Sequence, residues 1–443
     1  MGETALVQLA LDDYPDRYAL SNELHARPFP ELSAPCRALH LAIKEPRNAA
    51  DRDRDRDRAH LLALLDRYGA PHPPPGASHY SGPLGRGFLK WELHTEFVTY
   101  TLFVEGVAEV PFLGELLTLF PADWLAEAPG RILVSCLVRI ESAAPGAIET
   151  ALDRDFPKWF LPESLAVSQV VDGEAVVAGD FRIDERGHSR FVVLAAPQIG
   201  RRRLGRIVQR VLEIETYTVA AMLTLPVARA VAGSAARLDR ELSAIVGQMA
   251  SGAGQEAETL DGLLRMAAEI ERIASTSAFR FGAAGAYEAI VNQRIRVLRE
   301  VRLGGRQLFS EFMTRRFDPA MRTCRSAKER LDELSDRAER ASNLLRTRVD
   351  VENQAQNVQV LKAMDRRAAL QLRLQETVEG LSVVAISYYA LSLAGHLFAP
   401  LAEHAHVSES LLLAILTIPV VLLVWLMVRR IRSRLGHKAE PRG

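Results

Sequence analysis

Apolar and polar positions follow two rhythms along the chain, and the change between them falls near residue 200. Before it the apolar runs are short and rich in β-branched and aromatic residues: "RALHLAI" (37–43), "FLKWELHTEFVTYTLFVE" (88–105), "RILVSCLVRIE" (131–141), "AVVAGDFRID" (175–184) and "SRFVVLAA" (189–196). Runs of this kind predict strands. The last two are joined by "ERGH", whose Gly187 can take a positive φ, so Ala175 to Ala196 is expected to form a hairpin. Between strands, "DRDRAHLLALLDRYG" reads as a helix closed by Gly69 and followed by the stiff loop "PHPPPG". Residues 1–200 are therefore expected to form an α+β domain with a mainly antiparallel sheet.

From residue 201 the period lengthens to that of helices and stays so. "TYTVAAMLTLPVA", from Thr216, is too short to span a bilayer and holds Pro226, so it predicts a buried helix. Cys324, Ala327, Leu331, Leu334, Ala338, Ala341 and Leu345 step by three and four alternately, which places one apolar seam along a helix. No proline interrupts residues 320–399. The segment 201–379 thus predicts a long, coiled-coil-like helical stalk, its uninterrupted part up to Glu379 about 90 Å long at 1.5 Å per residue. An intrachain bundle and self-association explain the seam equally well. The amide-rich "NQAQNVQ" (353–359) falls where seam residues are expected, a device that specifies register or oligomeric state.

The last rhythm is continuous apolarity. Residues 380–402 carry no charge, a run of 23 that crosses about 30 Å of hydrocarbon. A second uncharged run of 19 covers 410–428. The pair predicts a two-helix transmembrane hairpin with a short periplasmic loop at 403–409 and a basic tail at 429–443. Arg366, Arg367 and Arg373 precede the first run, Arg429, Arg430, Arg432, Arg434 and Lys438 follow the second, and the loop has no Lys or Arg. Basic flanks stay cytoplasmic, so both termini are expected inside, in a multi-pass protein of a bacterial inner membrane. The N-terminal stretch "MGETALVQLALDDYPDR" lacks a basic start and a long apolar core, so export of this part is not expected.

Composition narrows the partners. The 55 basic residues balance 55 acidic ones, which gives no field for nucleic acid. Asp and Arg alternate over 51–58, and exposed i,i+3 pairs at a solvated helix start account for the run. Three cysteines, far apart, suit neither a disulfide framework nor a zinc knuckle. No Walker A run, G-x-G-x-x-G, G-x-S-x-G or H-E-x-x-H is present, so no enzyme is expected.

Three groups of residues carry candidate chemistry. In "SNELHARPFPEL" (21–32), Glu23, His25 and Arg27 alternate with Leu24 and Ala26; in "WELHTEF" (91–97), Glu92, His94 and Glu96 do the same. On paired strands these would gather imidazoles and carboxylates for a divalent cation or a proton-sensitive cluster, and otherwise form a solvated sheet face. Ser382, Tyr388, Tyr389, Ser392 and His396 form a polar stripe on the first apolar run, suited to helix packing or to a pore lining. Glu403, His404, His406 and Glu409 give the outer loop groups that attract cations, or merely a short acidic turn.

"NELHARPFPEL", "KWELHTEF" and "VEGLSVVAISYYALSLAGH" resemble the domain of unknown function 3422 family, bacterial membrane-anchored proteins. That resemblance covers nearly the whole chain and implies an inner-membrane protein with a large cytosolic region, without an activity. In layout the chain is also similar to CorA-type magnesium transporters, ring-shaped homo-oligomers whose first span lines the pore. Their Gly-Met-Asn signature is absent, its place taken by "GHLFAPLAEHAH". The expectation is a membrane-anchored cytosolic scaffold or regulatory module that self-associates, with a CorA-like cation channel as the alternative.

Overall fold

The computed structural model describes residues 12–23, 28–46, 52–251, 256–404 and 408–436. Two compact units divide it, Met1–Ser342 and Asn343–Gly443.

The first unit opens with α1 (Arg17–Glu23), β1 (Cys36–Lys44), α2 (Arg54–Tyr68), β2 (His79–Leu84), β3 (Gly87–Leu93) and β4 (Phe97–Glu105). A 3₁₀ turn and α3 (Ala122–Ala126) lead to β5 (Arg131–Ser142), α4 (Pro145–Arg154), α5 (Phe156–Trp159), β6 (Ala166–Val170), β7 (Ala175–Gly179) and β8 (Ser189–Ala195). Long helices follow: α6 (Arg201–Met222), α7 (Thr224–Ser251) and α8 (Glu256–Leu298). Then come β9 (Val301–Arg302), α9 (Phe309–Arg316), α10 (Asp318–His404), which runs into the second unit, and α11 (Glu409–Gly436).

Nine strands form one sheet in the order β2-β3-β4-β1-β5-β8-β7-β6-β9. All neighbours are antiparallel except β5 and β8. The β7–β8 hairpin is present, with Asp184 and His188 bonded across its turn and Gly187 at φ 89°. Strand β9 follows α8, so the helical half of the chain returns to complete the sheet at β6.

Period two sorts the side chains. Leu39, Leu41 and Ile43 of β1, Trp91 of β3 and Tyr100 and Leu102 of β4 bury against Leu61, Leu64 and Leu65 of α2 and Trp124 of α3. The alternate positions face α6. At the other end of the sheet, Leu152, Phe156 and Phe160 of α4 and its sequel pack on Val167, Val176, Val192 and Leu194.

Helix α2 starts where the Asp/Arg run predicts, with Asp53 accepting from the amides of Asp55 and Arg56, and ends at Gly69 in the left-handed region. The run is not wholly solvated. Arg52 and Asp57 are buried and paired, and Arg52 also donates to the carbonyls of Ile43 (3.1 Å) and Glu96 (3.0 Å). The arginine ties a helix start to two sheet ends.

Cys324 through Leu345, all seven seam residues, are buried within the chain. Arg325–Glu288 (2.6 Å) ties α10 to α8, and Arg337 and Arg330 pair with Asp239 of α7. The intrachain bundle is the arrangement observed. The apolar stretch after Thr216 is a buried helical face, with Ala220, Ala221, Thr224 and Ala228 inside. All three cysteines are free and buried.

Among the described residues, three helical segments are long and apolar enough to cross a membrane by length and composition: Arg201–Ser251, Phe309–Ala399 and Leu413–Ile431. The most apolar window of the first is 33% buried in the fold, against 6% for each of the others. The first packs within the fold, α6 on β5 and β8 and α7 on α8.

Candidate functional site

The residues of "WELHTEF" do not share a strand face. The chain turns at His94–Glu96, closed by the His94 amide on the Phe97 carbonyl (2.9 Å), so Glu92 lies within the end of β3, which closes at Leu93, and Glu96 precedes β4. Nothing in "HTE" marks a turn, which left the two strands looking like one. Glu23 ends a helix, α1, instead of lying on a strand. His25, with Arg27, lies outside the described residues, as does His406. Glu403, His404 and Glu409 fall at the ends of α10 and α11.

Glu96 is 1% exposed and is held by cations: Arg280 of α8 pairs with it, Lys44 of β1 lies at 3.3 Å, and Tyr287 of α8 donates its hydroxyl at 2.8 Å. Burial holds the Lys44 pKa down, while the Glu96 charge works to raise it. The carboxylate is neutralised by side chains of this chain. It serves as a clasp between sheet and helix.

Glu92 and His94 reach a different place, a polar row that the strand register lays across the sheet. Lys90 stands opposite Thr101, Thr101 opposite His40, His40 opposite Cys136 and Cys136 beside Ser189, one residue from each of five strands. Helix α6 lies over this row. His40 Nδ1 bonds Thr101 Oγ1 (2.8 Å) and Nε2 bonds Thr216 Oγ1 of α6 (3.0 Å). Lys90 Nζ donates to Gln209 of α6 (2.8 Å) and pairs with Glu92 (3.1 Å). His94 stacks on Phe97 with ring centres 4.5 Å apart, and its ring nitrogens bond Thr99 (3.3 Å) and Tyr217 of α6 (3.4 Å). A cavity of about 30 Å³ lies among them, room for one or two waters.

Burial, followed by the nearby charges of His94 and Lys90, lowers the His40 pKa to about 3. The imidazole is neutral, bridging two hydroxyls with one nitrogen donating and the other accepting. Its basicity is too low for proton abstraction near neutral pH. Cys136, next in the row, has its thiol pushed well up by burial and by Glu215 of α6. The row is a network of mutually satisfied groups, which fixes one docking of α6 on the sheet.

Beyond Glu92 and His94, the sequence marked this row at His40, the one polar residue of "LHLAI". Thr101, Thr216 and Glu215 look unremarkable in line, since neither register nor helix docking can be read from one strand. Among the described residues, no three His, Cys, Asp or Glu side chains are grouped to hold a metal ion.

In the second unit, Ser382 Oγ donates to the Val378 carbonyl (2.8 Å) and His396 Nδ1 to that of Ser392 (2.8 Å), so part of the stripe is bonded within its own helix. Tyr388 and Tyr389 are exposed, their rings edge to face at 5.8 Å.

No curated protein and no solved structure matches the chain, and the likeness to CorA-type transporters is not shown by these comparisons. A family model described as "Protein of unknown function (DUF3422)" matches residues 12–435. With that match running nearly end to end, over sheet, bundle and terminal helices alike, the chain belongs to the DUF3422 family.

Proposed function

We propose that this protein is a membrane-anchored regulatory module: the terminal helices hold it in an inner membrane, both termini face the cytoplasm, and the sheet unit does the binding. The observation that carries the reading is the surface of the second unit. Leu381, Val384, Leu393 and Leu397 of α10 and Ile418 and Leu423 of α11 are each more than 60% exposed, on segments without a charge. Apolar surface of that extent is suited to lipid rather than water. Gly395 allows close approach between the helices, since a β-carbon there would stand 2.9 Å from Leu413 Cδ2. Backbone bonding of Ser382 and His396 satisfies these groups without a water path, which favours an anchor over a pore.

The test uses the buried native cysteines as a silent background. A cysteine at position 406 (His406→Cys) is expected to react with a membrane-impermeant maleimide in intact cells, and one at 433 (Ser433→Cys) only after permeabilisation. Release of the protein by alkaline carbonate, or the reverse labelling, overturns the reading.

A further inference from the structure

Helix α6 covers a second, larger hollow at the Ser189 end of the row. A groove of about 330 Å³ lies between α6, α9, the start of β5 and the β7–β8 loop, within the range of small-molecule sites. Its exposed edge is apolar, with Ile132 and Ile183 open to solvent and Met222, Phe312 and Phe317 along the walls. Its polar members Ser135, Ser189 and Glu215 are buried, as are Phe312, Met313 and Phe317 beside them. Arg316 sits at the rim with its guanidinium 5.3 Å from the Phe312 ring centre.

Glu215 is 6% exposed, and among the described residues no cation pairs with it. Around it stand Ser189, Cys136 with a protonated thiol, and Asp180, whose own charge is met by Arg190 at 3.6 Å and by the amides of Leu161 and Arg182. His188 bonds Ser135 Oγ at 2.7 Å, and burial holds its pKa down. Desolvation, reinforced by Asp180 and opposed by Ser189, lifts the Glu215 pKa to about 7. A buried carboxylate without a counter-charge is costly in its ionised form.

The geometry points to a site for a small apolar amine, its ammonium on Glu215 and its hydrocarbon body along Met222, Phe312 and Phe317. A protonated amine supplies the missing charge; a neutral or anionic head does not. The groove lies wholly within the first unit, so the inference is independent of membrane attachment.

The experiment is titration calorimetry of the full chain in detergent, with empty micelles as blank and 2-phenylethylamine, 2-phenylethanol and 3-phenylpropionate as probes. The amine is expected to bind at least about tenfold more tightly than the alcohol, and the carboxylate not at all. Near neutral pH, amine binding releases about half a proton as Glu215 ionises, read from the dependence of heat on buffer ionisation enthalpy. Glu215→Gln loses the preference and the proton release; Met222→Trp, which fills the groove, loses amine and alcohol together. Equal binding of amine and alcohol, binding without proton release, or unchanged amine binding by Glu215→Gln overturns the proposal.

Discussion

The carbonyl oxygen of Pro30 lies 1.7 Å from the point where a β-carbon on Gly205 would stand. The "PFPEL" segment crosses α6 at that glycine and is fastened beside it by the Leu32 amide on the Arg201 carbonyl (3.2 Å) and the Arg202–Glu31 pair (2.8 Å). Glycine inside a helix ordinarily weakens it by about 1 kcal/mol against alanine. Here Gly205→Ala is expected to lower stability by about 1–3 kcal/mol instead, because backbone must move to admit the methyl group. Urea denaturation decides it: a rise in stability would mean that the segment is not seated on the helix.

Glu96 is expected to be the most sensitive acid of the sheet unit. Glu96→Gln leaves Lys44 and Arg280 without their shared anion, a loss of about 3–5 kcal/mol. In a double-mutant cycle with Arg280→Gln, the pair should be less damaging than the sum of its singles by more than about 1 kcal/mol. Strict additivity would deny the clasp.

His40 and Glu215 pull the pH profile in opposite directions. His40, held near pKa 3 against an ordinary 6.5, contributes stability present above the ordinary value and lost as pH falls towards 3. Glu215, raised from 4.5 to about 7, contributes stability fully present below 4.5 and lost as pH rises through 7. Between 4.5 and 6.5 the two slopes oppose. Glu215→Gln should therefore be more stable than the parent by about 3 kcal/mol at mildly alkaline pH, and lose that advantage progressively on acidification. Parallel denaturation profiles for variant and parent across this range would contradict the assignment.

Leu334 and Leu344 test the seam. Leu334 is 2% exposed and Leu344 68%. Leu334→Ala is expected to cost about 2–5 kcal/mol and Leu344→Ala less than about 0.5 kcal/mol, by thermal or chemical unfolding. Equal losses would show that another chain covers the outer face.

How legible was this fold? The seam was readable because a three-and-four step over seven residues is periodic by itself, whatever it packs on. The β7–β8 hairpin was readable because Gly187 marks the turn. The β3–β4 turn was not, since His94, Thr95 and Glu96 carry no turn chemistry and are held by tertiary contacts with α6 and α8. The same contacts explain the uneven fate of the Glu/His residues. Glu92 and His94 reach the polar row, while Glu96 faces away to Arg280, because a turn, unlike a strand, does not keep alternate residues on one side.

The placement of β9 has a consequence for synthesis. The edge of β6 is covered by chain that leaves the ribosome about 130 residues later: Val301 and Arg302 pair with it, the Val167 amide bonds the Gln307 carbonyl (2.7 Å), and Ser168 receives the Phe309 amide (3.1 Å). At roughly 5–20 residues per second, that edge stays open for about 7–26 s of translation. An open edge invites pairing with other chains. A gene fragment ending near residue 200 would leave it open permanently, so the piece that looks most like a free-standing domain in the sequence is the one expected to aggregate when made alone.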